Sequence, residues 1–151
     1  TRGFLDKLSA QVKVLEQEFR MTAVQTAETR GGGHAVTVVI NDKVKATLLM
    51  DTGAAMVAMS KTLADRLNLD SSSYKTVEVI MADGSAAKAF AVVLDSVQAG
   101  DARAEKVDAV IMTNQSTNNV EGLLGMSFLR NFVMQFDGNS GKLTLRSFTP
   151  K

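Results

Sequence analysis

The chain has 151 residues, with 17 Lys+Arg against 16 Asp+Glu, one His, no Cys and no Trp. Apolar residues make up 45% and charged residues 22%, which is too apolar for disorder, and the length is enough to bury a core. The net charge of +1 gives no compositional case for nucleic acid or an anionic membrane as the main partner. Zero cysteine excludes a disulfide framework, a thiolate zinc site and a Cys nucleophile. With His34 alone, a two-His metal site within one chain is excluded, and a Ser-His-Asp triad would rest on that one residue. No apolar run approaches the roughly 18 residues needed to cross a bilayer.

Leu5, Leu8, Val12, Leu15 and Phe19 recur with helical spacing, which predicts an N-terminal amphipathic helix. That stripe suits packing on its own domain, or a short coiled coil or stalk. Gln25–Gly33 lacks apolar periodicity and ends in three glycines, so it reads as a flexible connector. The expected division is residues 1–33 as helix and connector, and residues 34–151 as one folded domain. His34, beside the glycines, reads as a solvated loop residue.

From Ala35 the pattern becomes strands. Ala35–Ile40 and Val44–Met50 flank an Asn41-Asp42 turn. Ser60 is placed to cap a short helix through Leu67. Lys75–Met81 and Ala86–Val97 flank the Asp83-Gly84 turn, and Ala102–Met112 follows. Thr113–Asn119 reads as a polar loop and Met126–Asn131 as a short helix. Phe132–Phe136 and Lys142–Phe148 flank a second hairpin turn, Asp137–Gly141. The prediction is a mainly β domain of about seven strands with one or two short helices, built as a small closed barrel or sandwich.

Leu48-Leu49-Met50-Asp51-Thr52-Gly53-Ala54-Ala55 carries the most chemistry. A carboxylate ending an apolar strand is costly to desolvate unless it is paired or hydrogen-bonded. Gly53 permits close backbone approach, so its N–H can donate to the carboxylate. The Thr52 hydroxyl is free to reach a neighbouring backbone. The plain alternative is a strand ending in a turn. A second stretch, Val120-Glu121-Gly122-Leu123-Leu124-Gly125-Met126-Ser127-Phe128-Leu129, sets two apolar residues between glycines ahead of a short helix.

Together these stretches resemble the retropepsin-like aspartic proteases, and within them the bacterial single-domain group. The likeness runs from about Ala35 to Arg146. It includes Ile40-Asn41-Asp42, Ala64-Asp65-Arg66-Leu67-Asn68-Leu69, Met81-Ala82-Asp83-Gly84 and Leu94-Asp95-Ser96-Val97. The resemblance implies a small closed barrel of the acid-protease type. It implies that Asp51 is the catalytic carboxylate, with Thr52 interlocking with a second subunit's backbone and Gly53 supporting the carboxylate. Ala54 and Ala55, with Met81, Ala82, Asp83 and Gly84 at the flap tip, fall where such enzymes bind substrate. The viral enzymes have a glycine-rich tip; here one glycine and an acid suggest a stiffer, more polar one.

One Asp-Thr-Gly per chain implies a homodimer, with Asp51 facing its twin. The implied activity is endopeptidase cleavage of protein or peptide substrates, limited and regulatory, with no metal and no cofactor. Related bacterial sequences often carry a membrane anchor ahead of the protease domain. A tether upstream of residue 1 and a periplasmic or periplasm-facing location are therefore expected. A competing reading is a catalytically weak or inactive dimeric peptide-binding or scaffolding module on the same fold. An Asp-nucleophile phosphotransferase fits poorly, because no Asp follows two residues after Asp51 and no P-loop is present.

Overall fold

The fold is described from a computed structural model, which covers residues 21–29, 32–70, 73–81, 83–113 and 120–147. The helix predicted over the first 19 residues, Ala82 and most of the Thr113–Asn119 loop lie outside the described residues. Eleven strands and two short helices are present among those described: β1 (Met21–Gln25), β2 (Ala27–Glu28), β3 (His34–Ile40), β4 (Val44–Met50), β5 (Val57–Met59), α1 (Lys61–Arg66), β6 (Thr76–Ile80), β7 (Ala86–Ala99), β8 (Ala102–Met112), β9 (Gly122–Leu124), α2 (Met126–Leu129), β10 (Phe132–Asp137) and β11 (Lys142–Ser147).

The larger sheet runs β2-β3-β4-β9-β5-β8-β7-β6, and β3 also pairs with β7. That extra pairing, Val39↔Gln98 and Ile40↔Val97, closes β3, β4, β9, β5, β8 and β7 into a six-stranded barrel. Closure removes the open edges that those strands would otherwise present. The interior holds Val36, Val38, Ile40, Leu48, Leu94 and Ile111 from alternating strand positions, and Leu63 and Phe128 from the helices. A smaller sheet, β1-β11-β10, packs onto this core through Leu143 and Leu145, with Val24, Met134 and Phe136 partly buried.

The long strands follow the sequence closely. Asn41 and Asp42 both take positive φ, 55° and 56°, the backbone of a tight hairpin between β3 and β4. Arg103 grips the Asp42 carboxylate with both terminal nitrogens, at 2.7 and 3.1 Å, and holds its pKa below the usual carboxylate range. Ser60 caps α1 by accepting from the Leu63 N–H at 3.1 Å, and Asn68 ends the turn at φ 59°.

Two expectations are corrected. The Gln25–Gly33 stretch is not a free connector in its described part. Met21–Gln25 pairs antiparallel with β11, from Met21↔Arg146 to Gln25↔Lys142, and Ala27–Glu28 pairs with β3. β1 lacks a clean apolar pattern because it is half-covered at best, and its partner β11 lies far along the chain; β2 is two exposed residues, too short to show one. His34 is likewise no solvated loop residue. It begins β3, lies half-buried, and sets its ring edge-on to Phe136 at 4.7 Å. The buried Thr26 hydroxyl donates to the Gly141 carbonyl at 2.7 Å and is hydrogen-bonded to His34 Nδ1 at 3.2 Å. The other missed strands, β5 and β9, are three residues each, too short for periodicity to register.

Two predictions follow from this packing. Thr26→Val leaves the Gly141 carbonyl only the Thr26 N–H, at 2.8 Å, and takes the hydroxyl from His34 Nδ1; it should lower unfolding free energy in urea by about 1–3 kcal/mol. Gly122, at φ 156°, would place a Cβ 1.9 Å from the Ala58 carbonyl oxygen. Gly122→Ala should therefore cost about 3 kcal/mol in the same assay.

Candidate active site

β4 delivers Asp51 to the barrel end. Its last residues pair in parallel with β9, Leu49↔Leu123 and Met50↔Leu124. The Asp51 N–H continues that ladder by donating to the Leu124 carbonyl at 3.1 Å. The chain then turns, with the Ala54 N–H donating to the Asp51 carbonyl at 3.2 Å. Within the turn the Gly53 N–H donates to Asp51 Oδ1 at 3.0 Å. A Cβ on residue 53 would lie 3.3 Å from the same oxygen, so glycine leaves the carboxylate its room. The carboxylate meets no side-chain partner among the described residues. The site is a ledge on this chain: Asp51 and Ala54 are half-buried, while Thr52, Gly53, Ala55 and Met56 are exposed.

The ledge is fixed from below by the second motif. Gly125 approaches so closely that a Cβ there would lie 2.3 Å from the Met56 carbonyl oxygen and 2.8 Å from that of Ala54. The Met126 N–H at the start of α2 donates to the Ala54 carbonyl at 2.8 Å. Ser127 is fully buried, accepts from the Val57 N–H at 2.9 Å and donates to the Asp108 carbonyl at 2.7 Å. One hydroxyl thus ties α2 to both the strand leaving the Asp51 loop and β8. Sequence reading gave Ser127 no role; its signal was a polar residue inside an otherwise apolar Gly-Met-Ser-Phe-Leu run.

The flap is a hairpin of β6 and β7, from Thr76↔Phe90 to Ile80↔Ala86. At its tip the Met81 N–H donates to the Ser85 carbonyl at 2.8 Å, and the Gly84 N–H to the Met81 carbonyl at 2.9 Å. Gly84 takes φ 86°, which this three-residue loop requires. Asp83 Oδ1 accepts from the Ser85 hydroxyl at 2.5 Å and from its N–H at 2.9 Å. These two bonds hold the Asp83 pKa below the usual carboxylate range. Their contribution is therefore present at neutral pH and is lost as pH falls through that lowered value. Ile80 and Met81 stand exposed, at 66% and 39%.

A second apolar cluster joins the flap to the site. Ala58, Ala89 and Val110 are buried together, and Val77, Val79, Met112 and Leu123 pack half-exposed against them. Leu123 belongs to β9, next to the residue that holds the Asp51 N–H. Thr52 behaves differently from the other motif residues, because its hydroxyl has no partner among the described residues. Of the residues read from sequence, the structure joins Asp51, Gly53 and Ala54 in one hydrogen-bonded turn. It places Met81, Asp83 and Gly84 together at the flap tip.

Comparisons with known proteins agree with this geometry. Residues 36–131 match the family described as "gag-polyprotein putative aspartyl protease". A retropepsin-like aspartic protease from Rickettsia conorii superposes with a TM-score of 0.70 at 24% identity, covering 88% of this chain and 96% of that one. The retroviral protease-like domain of Ddi1 from Leishmania major gives 0.55 at 17% identity, covering 77% and 90%. EIAV protease complexed with the inhibitor HBY-793 gives 0.50 at 18%, covering 64% and 84%. A Sinorhizobium protein described only as an uncharacterized protein in the cobV 5' region is 28% identical over 102 residues, which is 68% of this chain. The chain spans 43% of that relative's length. A closed barrel, an Asp-Thr-Gly turn clamped by a glycine-flanked second motif, and a family match over more than half the sequence lead to one conclusion: the chain belongs to the retropepsin-like aspartic protease family.

Proposed function

We propose that the protein is a homodimeric aspartic endopeptidase that makes limited, regulatory cuts in protein substrates. The observation that carries this reading is the Asp51 turn, a half-buried carboxylate held by the Gly53 N–H on an exposed ledge. A single acid of this kind lacks the second acid that peptide hydrolysis needs. A second copy related by a two-fold axis supplies it, and the unpartnered Thr52 hydroxyl lies beside Asp51 where such a copy would meet it.

The chemistry follows from the pairing. Two carboxylates about 3 Å apart cannot both ionise, so the pair shares one proton. The ionised member takes a proton from water as the water oxygen bonds to the peptide carbonyl carbon. The protonated member gives its proton to the carbonyl oxygen. The tetrahedral adduct then collapses with cleavage of the C–N bond, and a proton passes to the leaving amine. Substrate lies extended beneath the flap, pairing through its backbone. Val77, Val79, Met112 and Leu123 offer apolar side chains to it, and Ala54, Ala55 and the flap tip border the same space. The proposal extends to location: an anchor upstream of residue 1 holds the domain at the membrane facing the periplasm, which fractionation of the full-length protein tests.

Cleavage of a peptide library, read by mass spectrometry, tests the reaction. The wild type should cut few sequences, favouring apolar residues at the scissile bond, and Asp51→Asn should lower kcat by about 10³-fold. Cleavage that survives Asp51→Asn contradicts the reading; a wild type that binds peptides without cutting them favours a binding module. The pH–rate profile should be a bell. Activity falls at low pH when both acids are protonated and at high pH when both are ionised. Asp83→Ala removes the flap-tip acceptor and should raise KM several-fold with kcat little changed.

A further inference from the structure

We propose that Glu121 and Arg66 are positioning residues for the Asp51 loop, acting as a side-chain extension of β9 along β4. The proposal rests on Asp51 being the catalytic carboxylate. β9 is only three residues long, yet it is the strand that joins β4 to β5 in the barrel. On the side facing β9, the backbone groups of β4 that need partners belong to Lys45, Thr47, Leu49 and Asp51. The main chain of β9 covers the last two.

Glu121 covers Thr47 completely. Its N–H donates to the Thr47 carbonyl at 2.8 Å, and its Oε2 accepts from the Thr47 N–H at 2.9 Å. The register is that of the strand itself, because Thr47 to Glu121 has the same sequence offset as Leu49 to Leu123. Arg66, the last residue of α1, covers Lys45 by donating from Nη2 to its carbonyl at 3.0 Å. The same guanidinium bonds Glu121 Oε1 through Nη1. The Glu121 carbonyl accepts from the Ser60 N–H at 2.9 Å, which continues the β9–β5 pairing. One residue therefore locks β4, β9, the end of β5 and α1 together, two rungs below the bond that holds the Asp51 N–H.

An exposed ion pair usually adds little, and these side chains are 44% and 30% exposed. What sets this pair apart is that each member also satisfies a backbone group of β4. Without the two side chains, the Thr47 N–H and the Lys45 carbonyl lose these partners, and main-chain bonds from Glu121 and β9 alone must hold the register of β4. A shift there moves Asp51, whose carboxylate must meet its twin within a fraction of an ångström.

The test compares wild type with Glu121→Ala, Glu121→Gln, Arg66→Ala and the double Ala variant. Amide hydrogen exchange is followed together with peptidase kinetics. In Glu121→Ala, exchange at the Thr47 and Asp51 amides should accelerate about tenfold or more, while the β1–β11 amides stay unchanged. kcat should fall about tenfold with KM little altered, and the pH–rate bell should narrow as the two carboxylates lose contact. Glu121→Gln keeps an acceptor for Thr47 and should fall between, and it carries the same test should Glu121→Ala not fold. The double variant should be no worse than the worse single one, because the two act as a unit. Uniform or absent acceleration overturns the proposal, as does local acceleration with kcat and the bell unchanged. A wild type without peptidase activity overturns the catalytic reading instead, and is told apart because the exchange pattern does not depend on turnover.

Discussion

The bond from the Asp51 N–H to the Leu124 carbonyl is the point where fold and chemistry meet. It is the last rung of a parallel pairing between a long strand and a strand of three residues. Parallel pairing this short has little stability of its own. It persists because the barrel closes on both sides of it and because the glycines around it allow contact that any other residue would block. A Cβ at Gly122 or Gly125 would lie on a backbone carbonyl of the neighbouring segment. The apolar pair between them, Leu123 and Leu124, then divides its work: Leu124 fills the main core, and Leu123 faces the cluster beneath the flap.

That arrangement explains why a carboxylate is affordable at this place. Buried outright, an unpaired carboxylate is costly to desolvate. Exposed outright, it would wander among rotamers. Here it is half-buried, and its own turn supplies one backbone donor. Beside it Thr52, Gly53, Ala55 and Met56 are exposed, so the carboxylate lies on an open ledge. Rigidity comes from the tie of α2 to the ledge through the Ala54 carbonyl and from the Ser127 hydroxyl behind it.

Much of this could be read from the sequence, and the gaps have physical causes. The long strands announce themselves through β-branched residues and alternation, and the Asn41-Asp42 and Asp83-Gly84 turns through residues that accept positive φ. The retropepsin likeness rests on two motifs and four shorter segments between Ala35 and Arg146, and the structure joins the two motifs by hydrogen bonds. Four strands were not legible. β5 and β9 are too short to show a period, and β1 and β2 gain their order from partners more distant in the sequence or beyond a glycine-rich turn. His34 read as solvent-facing because its neighbours are glycines; Thr26 and Phe136, its actual contacts, are not its sequence neighbours. Glu121 and Ser127 were visible as letters in a motif, but their partners, Thr47, Arg66, Val57 and Asp108, are fixed only by the barrel.

The central claim is that the working site is made by two chains. The most direct measurement is specific peptidase activity as a function of protein concentration, taken beside mass by sedimentation in the same buffer. The account predicts activity per chain that rises with concentration and levels off where the mass has doubled. Constant activity per chain across a range in which the protein sediments as a monomer would contradict it.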